Sequence, residues 1–112
     1  MTRSHTLHTP LIGAILLAAA SFASAEPLRI DAAHQAYHGG EYQRSLVLYE
    51  RLAAQGNAEA AERAGYMLLQ GAAAYGPQIP RDLARATALL EQAAGAGRQT
   101  ALFFLSMLGS AD

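Results

Sequence analysis

The chain has 112 residues, enough for one small domain, and it lacks cysteine, which excludes a disulfide framework and a thiol nucleophile. Eight basic residues, all of them arginine, stand against nine acidic ones, for a formal charge of −1. Nucleic acid is therefore an unfavourable partner, since phosphate binding needs a basic surface, and no charge run or basic amphipathic helix points to a membrane surface.

The first 25 residues, MTRSHTLHTPLIGAILLAAASFASA, have the layout of a secretory signal peptide. Arg3 supplies the positive start, an apolar run covers Leu11 to Ala20, and Ala23-Ser24-Ala25 is a small-residue cleavage site. The run falls short of the roughly 20 residues that span a bilayer. Cleavage after Ala25 is expected to release a periplasmic or secreted chain with no further membrane contact. That chain carries seven arginines and nine acidic residues, a net charge of −2. No cysteine follows the apolar run, so nothing there accepts a lipid.

Residues 26–112 read as one all-α domain of five helices with short punctuation. β-branched residues are few and do not alternate, which leaves strands without support. The first helix is expected over about Pro27–His38, stopping at Gly39-Gly40. The second covers about Glu41–Gln55 and stops at Gly56. Asn57 suits the N-cap of the third, about Ala58–Gln70, which ends at Gly71. The fourth covers about Asp82–Ala94, and the fifth about Arg98–Leu108, ending at Gly109. The segment between Gly71 and Arg81 reads as a loop.

Sliding the chain along itself by 41 positions brings Gly56 onto Gly97, Glu50 onto Glu91, Ala53 onto Ala94 and Ala60 onto Ala101. The second and fourth helices are then one kind of element, and the third and fifth another. A helix pair repeated at this period cannot bury its apolar faces alone and must stack on neighbours. The core stripe of the second helix is Tyr42, Ser45, Tyr49, Leu52 and Gly56, with Leu46 and Ala53 beside it. That of the fourth is Leu83, Ala86, Leu90, Ala93 and Gly97, with Leu89 and Ala94 beside it. Recurrence at three or four residues makes one helical face, and small residues on it let neighbours approach closely.

DLARATALLEQAAGAG resembles the second helix of a Sel-one-like repeat, a relative of the tetratricopeptide repeat, through Pro80, Asp82, Ala86, Leu90, Ala93-Ala94 and Gly97. AEAAERAGYMLLQG resembles the first helix of such a repeat through Ala58, Ala60, Gly65 and Gly71. EYQRSLVLYERLAAQG resembles another second helix through Tyr42, Tyr49, Ala53 and Gly56, and RQTALFFLSML a truncated first helix through Ala101 and Leu105. The resemblance implies a helix-pair α-solenoid of about two and a half repeats. Ala64 stands where the family prefers leucine, Ser45 where it prefers alanine, and the connection AAAYGPQIPR is longer than usual.

The resemblance further implies a concave face formed by the first helices of each repeat. His34, Tyr37 and His38, then Glu59, Glu62, Tyr66 and Gln70, then Thr100, Phe103 and Met107 would lie on it. Aromatic and polar groups in a row suit peptide recognition, and Glu59 and Glu62 would favour basic partners. The alternative is an ordinary solvated face. His34 and His38 also have the four-residue spacing that can hold zinc, copper or nickel, one turn from Asp31. Gln35 replaces the glutamate that a metalloprotease helix needs as general base, and two solvent-facing histidines are the plainer reading.

The last helix, with Leu102, Phe103, Phe104, Leu105 and Leu108, is apolar almost all round. It is expected to be buried on both sides, or else to meet a partner or a second copy. No nucleophile with an arranged base, no phosphate-cradling loop and no dinucleotide fingerprint stands in the chain. The expectation is a non-catalytic protein-binding adaptor or scaffold in a bacterial periplasm, with no catalytic residue and no cofactor. Metal binding and self-association through the last helix, giving a homodimer, are the alternatives.

Overall fold

A computed structural model describes residues 27–110 of the chain. The signal-peptide reading lies outside the described residues. The described residues are all-helical and contain no strand. The helices are α1 (Ile30–His38), α2 (Tyr42–Ala54), α3 (Ala58–Gln70), α4 (Ala72–Tyr75), α5 (Leu83–Gly95) and α6 (Gln99–Ser110).

Local signals place most of the boundaries. The Asn57 side chain accepts a hydrogen bond from the Ala60 N–H at 2.9 Å, and Asp82 accepts from the Arg85 N–H at 3.1 Å. Each satisfies one of the amide donors that a helix start leaves open. At the end of α2, the Gly56 N–H reaches the Ala53 carbonyl and the Asn57 N–H reaches the Leu52 carbonyl, with Gly56 at φ +95°. That is a Schellman closure, and it needs a left-handed residue at Gly56. The same pair of bonds recurs 41 positions later, from Gly97 to Ala94 and from Arg98 to Ala93. The offset read from the sequence also relates the helix bounds, 42 to 83, 54 to 95 and 58 to 99.

Three boundaries differ from expectation. Arg29 is extended and offers no side-chain cap, so α1 begins at Ile30 rather than near Pro27. Gly109 does not adopt positive φ, and α6 continues through it to Ser110. The expected loop is partly helical. Gly71 opens α4, whose Tyr75 ring packs against Tyr37 and Tyr42 with centroids 5.8 and 4.9 Å away. Ile79, further along, is buried. The connection is therefore a plug that covers the ends of α1 and α2.

Helix α1 packs on α2, α2 on α3, α3 on α5 and α5 on α6. Nine of the sixteen buried apolar residues described are alanine, so the core relies on close approach of backbones more than on large side chains. Gly65 marks the tightest place. A β-carbon there would lie 2.8 Å from Cγ of the fully buried Leu90, so α5 seats its leucine in a notch of α3. Ser45 is fully buried as well, and its hydroxyl meets the Met67 sulfur at 3.6 Å.

Expected burial is corrected at Gly56, Gly97 and Leu83 of the core stripes, all of them exposed, and along α6. Leu83 is 43% exposed, whereas Tyr42, its counterpart in α2, is covered by the rings of Tyr37 and Tyr75. Leu83 has no such cover. Helix α6 is not buried on both sides. Ala101 is fully buried, but Leu102, Phe103 and Met107 are 52%, 59% and 52% exposed, because α5 and α3 cover only one side of it.

The plug should make the fold sensitive to alkali. Burial foremost, then the 2.9 Å hydrogen bond with the Tyr37 hydroxyl, pushes the Tyr75 hydroxyl well above its ordinary value of 10.0. Burial also raises Tyr49, with Arg63 pulling the other way. A phenol that stays protonated in the fold but ionises in the unfolded chain stabilises the fold fully below pH 10.0, and that contribution is lost as pH rises further. The urea midpoint should fall above about pH 10, and Tyr75→Phe should fall less steeply over that range. Parallel slopes for the two proteins would show that Tyr75 is not the group responsible.

Candidate functional site

The residues proposed for the concave face fall into two groups. The first lies where α1 meets α3. His34 Nδ1 is 2.5 Å from the Tyr49 hydroxyl, and its Nε2 is 3.4 Å from Glu59 Oε1. Glu59 also lies 3.6 Å from Arg63. Both nitrogens of His34 therefore have partners within the chain, and a metal would have to displace Tyr49 or Glu59 to reach them. Among the described residues no three His, Cys, Asp or Glu side chains converge as a metal site would need. His38 is exposed and presents its ring at a steep angle to Tyr37. Tyr37 is half-buried in the tyrosine cluster, where it serves packing rather than display.

The second group lies where α3 meets α6. Glu62 is only 8% exposed, and its Oε1 accepts a hydrogen bond from Arg98 at 2.8 Å. Its Oε2 is buried without a hydrogen-bond partner. The bond to Glu62 holds the Arg98 guanidinium above its ordinary pKa. The expectation that Glu59 and Glu62 would attract basic partners is thereby corrected, because each already faces a cation of its own chain.

Tyr66 stacks on Phe104 with centroids 5.1 Å apart and planes tilted by 41°. The two rings, with Glu62, Arg63 and Thr100, line a cleft of about 330 Å³. Across Phe104 lies a second hollow of about 430 Å³, which includes Gln70, Arg81, Met107 and Leu108. Phe103 is exposed next to Phe104, with ring centroids 5.9 Å apart. Tyr66, Gln70, Thr100, Phe103 and Met107 are thus brought together around α6, while His34, Tyr37, His38 and Glu59 form a separate, internally paired group.

Neither a family model, nor a curated protein, nor a solved structure matches the chain.

From the sequence, Phe104 stands out only as part of the apolar last helix, and Arg63 and Arg81 take no role in a site. A signal for the first two was present. The 41-residue offset pairs Arg63 with Phe104 and Tyr66 with Met107, which puts them at equivalent positions of α3 and α6. Chemically, the cleft offers two aromatic surfaces, a threonine hydroxyl and the half-exposed guanidinium of Arg63. These groups supply contact area and hydrogen-bonding register.

Proposed function

We propose that this chain is an exported, non-catalytic protein-binding module of the bacterial periplasm, built as a helix-pair solenoid fragment similar to Sel-one-like repeats. It docks a partner segment along α3 and α6. The observation that carries the reading is the cleft between Tyr66 and Phe104, where two aromatic side chains remain accessible beside Arg63 and Thr100. Clefts walled by aromatic and arginine side chains are where binding energy concentrates in protein interfaces. The order of packing, in which α3 contacts both α2 and α5, and the recurrence of helix bounds at 41 residues support the repeat reading.

Panning a displayed peptide library against the purified protein should yield binders. Tyr66→Ala should weaken the best of them by about tenfold or more, with the melting temperature changed by only a few degrees. Unchanged affinity measured by calorimetry would move the docking site away from this cleft.

A further inference from the structure

Helix α3 has α2 on one side and α5 on the other, whereas α6 has α5 on one side only. The side of α3 that meets α5 is Ala61, Gly65 and Leu68. Ala61 clusters with Leu90 and Ala93, Leu90 fills the notch at Gly65, and the Leu68 carbonyl takes the Asp82 N–H. All three residues are buried. The 41-residue offset places Leu102, Ser106 and Gly109 at the same positions of α6, and all three are exposed.

The helix before each shows the same contrast. Helix α5 lies against α2 as well as α3, with Arg85 paired to Glu50 and the Gln92 amide donating to the Ala53 carbonyl at 2.7 Å. The counterpart of Glu50 is Glu91, which is exposed on α5 and has no basic partner among the described residues. With Thr87, Leu105, Leu108 and Gly109 it lines a hollow of about 480 Å³. At the corresponding positions, Leu46, Ala64, Met67 and Leu68 are buried together with Ile79 and Ala86 of α5. The edge formed by α5 and α6 therefore repeats the surface on which α5 itself is seated, with its apolar floor and its carboxylate in place.

We propose that this edge seats an amphipathic helix of another protein, laid across α5 and α6 as α5 lies across α2 and α3. A second copy of the chain offers no such helix, because the alanine and leucine stripes of α2 and α5 are buried within their own chain. The seat sets the chemistry of its occupant. An arginine in the first turn of the incoming helix meets Glu91, as Arg85 meets Glu50. Ser106 stands where Gly65 makes room for Leu90. A β-carbon at Gly65 would lie 2.8 Å from the Leu90 Cγ, so the incoming helix carries alanine there instead of leucine. Phe103 stands where Glu62 receives Arg98, so no arginine is needed just past the end of that helix. The hollow shares no wall residue with the cleft at Tyr66, and the seat does not depend on the reading of that cleft.

The probe is a fluorescein-labelled peptide with the sequence of residues 80–97 and alanine in place of Leu90. Titrated with the purified protein, its fluorescence polarisation should saturate with a Kd of about 10–300 µM, weak because an isolated helix must order as it docks. The peptide that keeps Leu90 should bind about fivefold or more weakly, and Ser106→Gly in the protein should remove that difference. Glu91→Arg should weaken the alanine peptide about three- to tenfold, and a peptide that also carries Arg85→Glu should recover the loss. Glu91 is exposed, so its reversal should leave the helical circular dichroism intact. No saturation up to about 1 mM would overturn the proposal. So would indifference to Glu91→Arg or to Ser106→Gly. Binding lost with Tyr66→Ala but kept with Glu91→Arg would put the peptide in the cleft, and would overturn the seat while leaving the cleft reading intact.

Discussion

Replacing Gly71 by alanine should destabilise the protein by about 3–5 kcal/mol, more than most single substitutions. Two independent causes act at this position. The backbone sits at φ +62°, ψ −148°, a region that side chains other than glycine avoid. In addition, the chain folds back over it. The Asp82 N–H reaches the Leu68 carbonyl at 3.0 Å, and Arg81 Nε reaches the Leu69 carbonyl, so the Arg81 backbone crosses directly above Gly71. A β-carbon would lie 2.6 Å from the Arg81 nitrogen and 2.7 Å from its Cα. Backbone atoms anchored by the Asp82 N–H on one side and by the residue's own guanidinium cannot move aside as a side-chain tip would. Gly76 separates the two causes, because its φ is +90° and nothing lies within 4 Å of where its β-carbon would be. Gly76→Ala should cost only the conformational strain, about 1–2 kcal/mol. A small domain loses roughly 4–8 °C of melting temperature per kcal/mol. The Gly71 variant should therefore melt about 10 °C or more below the Gly76 variant in a thermal scan followed by circular dichroism. Equal melting temperatures would show that the crossing at Arg81 is not required.

The consequence reaches beyond one turn. Gly71 launches the segment that carries Tyr75 and Ile79 back onto α1 and α2, and Arg81 at its far end lines the hollow beside α6. A strained Gly71 would loosen the plug and displace the one arginine of that hollow.

What the sequence made legible were features governed by near neighbours. Helix α3 could be bounded at both ends because Asn57 caps it and Gly71 ends it, and both signals lie within a turn of the boundary they set. The 41-residue offset was legible for the same reason, since equivalent helices end on equivalent glycines. Illegible features had their cause elsewhere in the chain. Tyr75 becomes a plug only because Tyr37, 38 residues earlier, offers it a hydroxyl and a ring face. Leu83 looked like its counterpart Tyr42 and is nevertheless exposed, because no tyrosine pair covers it. In α6, periodicity could show that the helix was apolar all round, but not which side its neighbours would cover. The concave-face residues divided in the same way. The resemblance to a helix-pair repeat implied one shared face for them, but it could not show that Glu62 would be buried.

That burial carries the other large effect. Arg98→Met should cost about 2–4 kcal/mol, although Arg98 itself is 38% exposed and lies at the margin of the core. The cost arises at Glu62, whose side chain is 11% exposed and whose Oε2 already lacks a hydrogen-bond partner. Removing the guanidinium leaves that carboxylate with no cation and no donor on Oε1 either. A charge in such a place must take on a proton or drag in water, and both are unfavourable. Arg98→Lys should recover only part of the loss, because an ammonium lacks the planar fork of the guanidinium. The decisive variant removes both partners. Glu62→Met in the Arg98→Met background leaves no orphaned charge, and its urea-unfolding free energy should return to within about 1 kcal/mol of the parent. If the double variant is as unstable as Arg98→Met alone, the penalty comes from lost packing of the arginine stem rather than from the stranded carboxylate. The same comparison bears on the cleft, because Glu62 is part of its wall and its bond to Arg98 ties α3 to the start of α6. A double variant that is stable but binds peptide less tightly would assign the ion pair to holding Tyr66 and Phe104 in register, a role distinct from its contribution to stability.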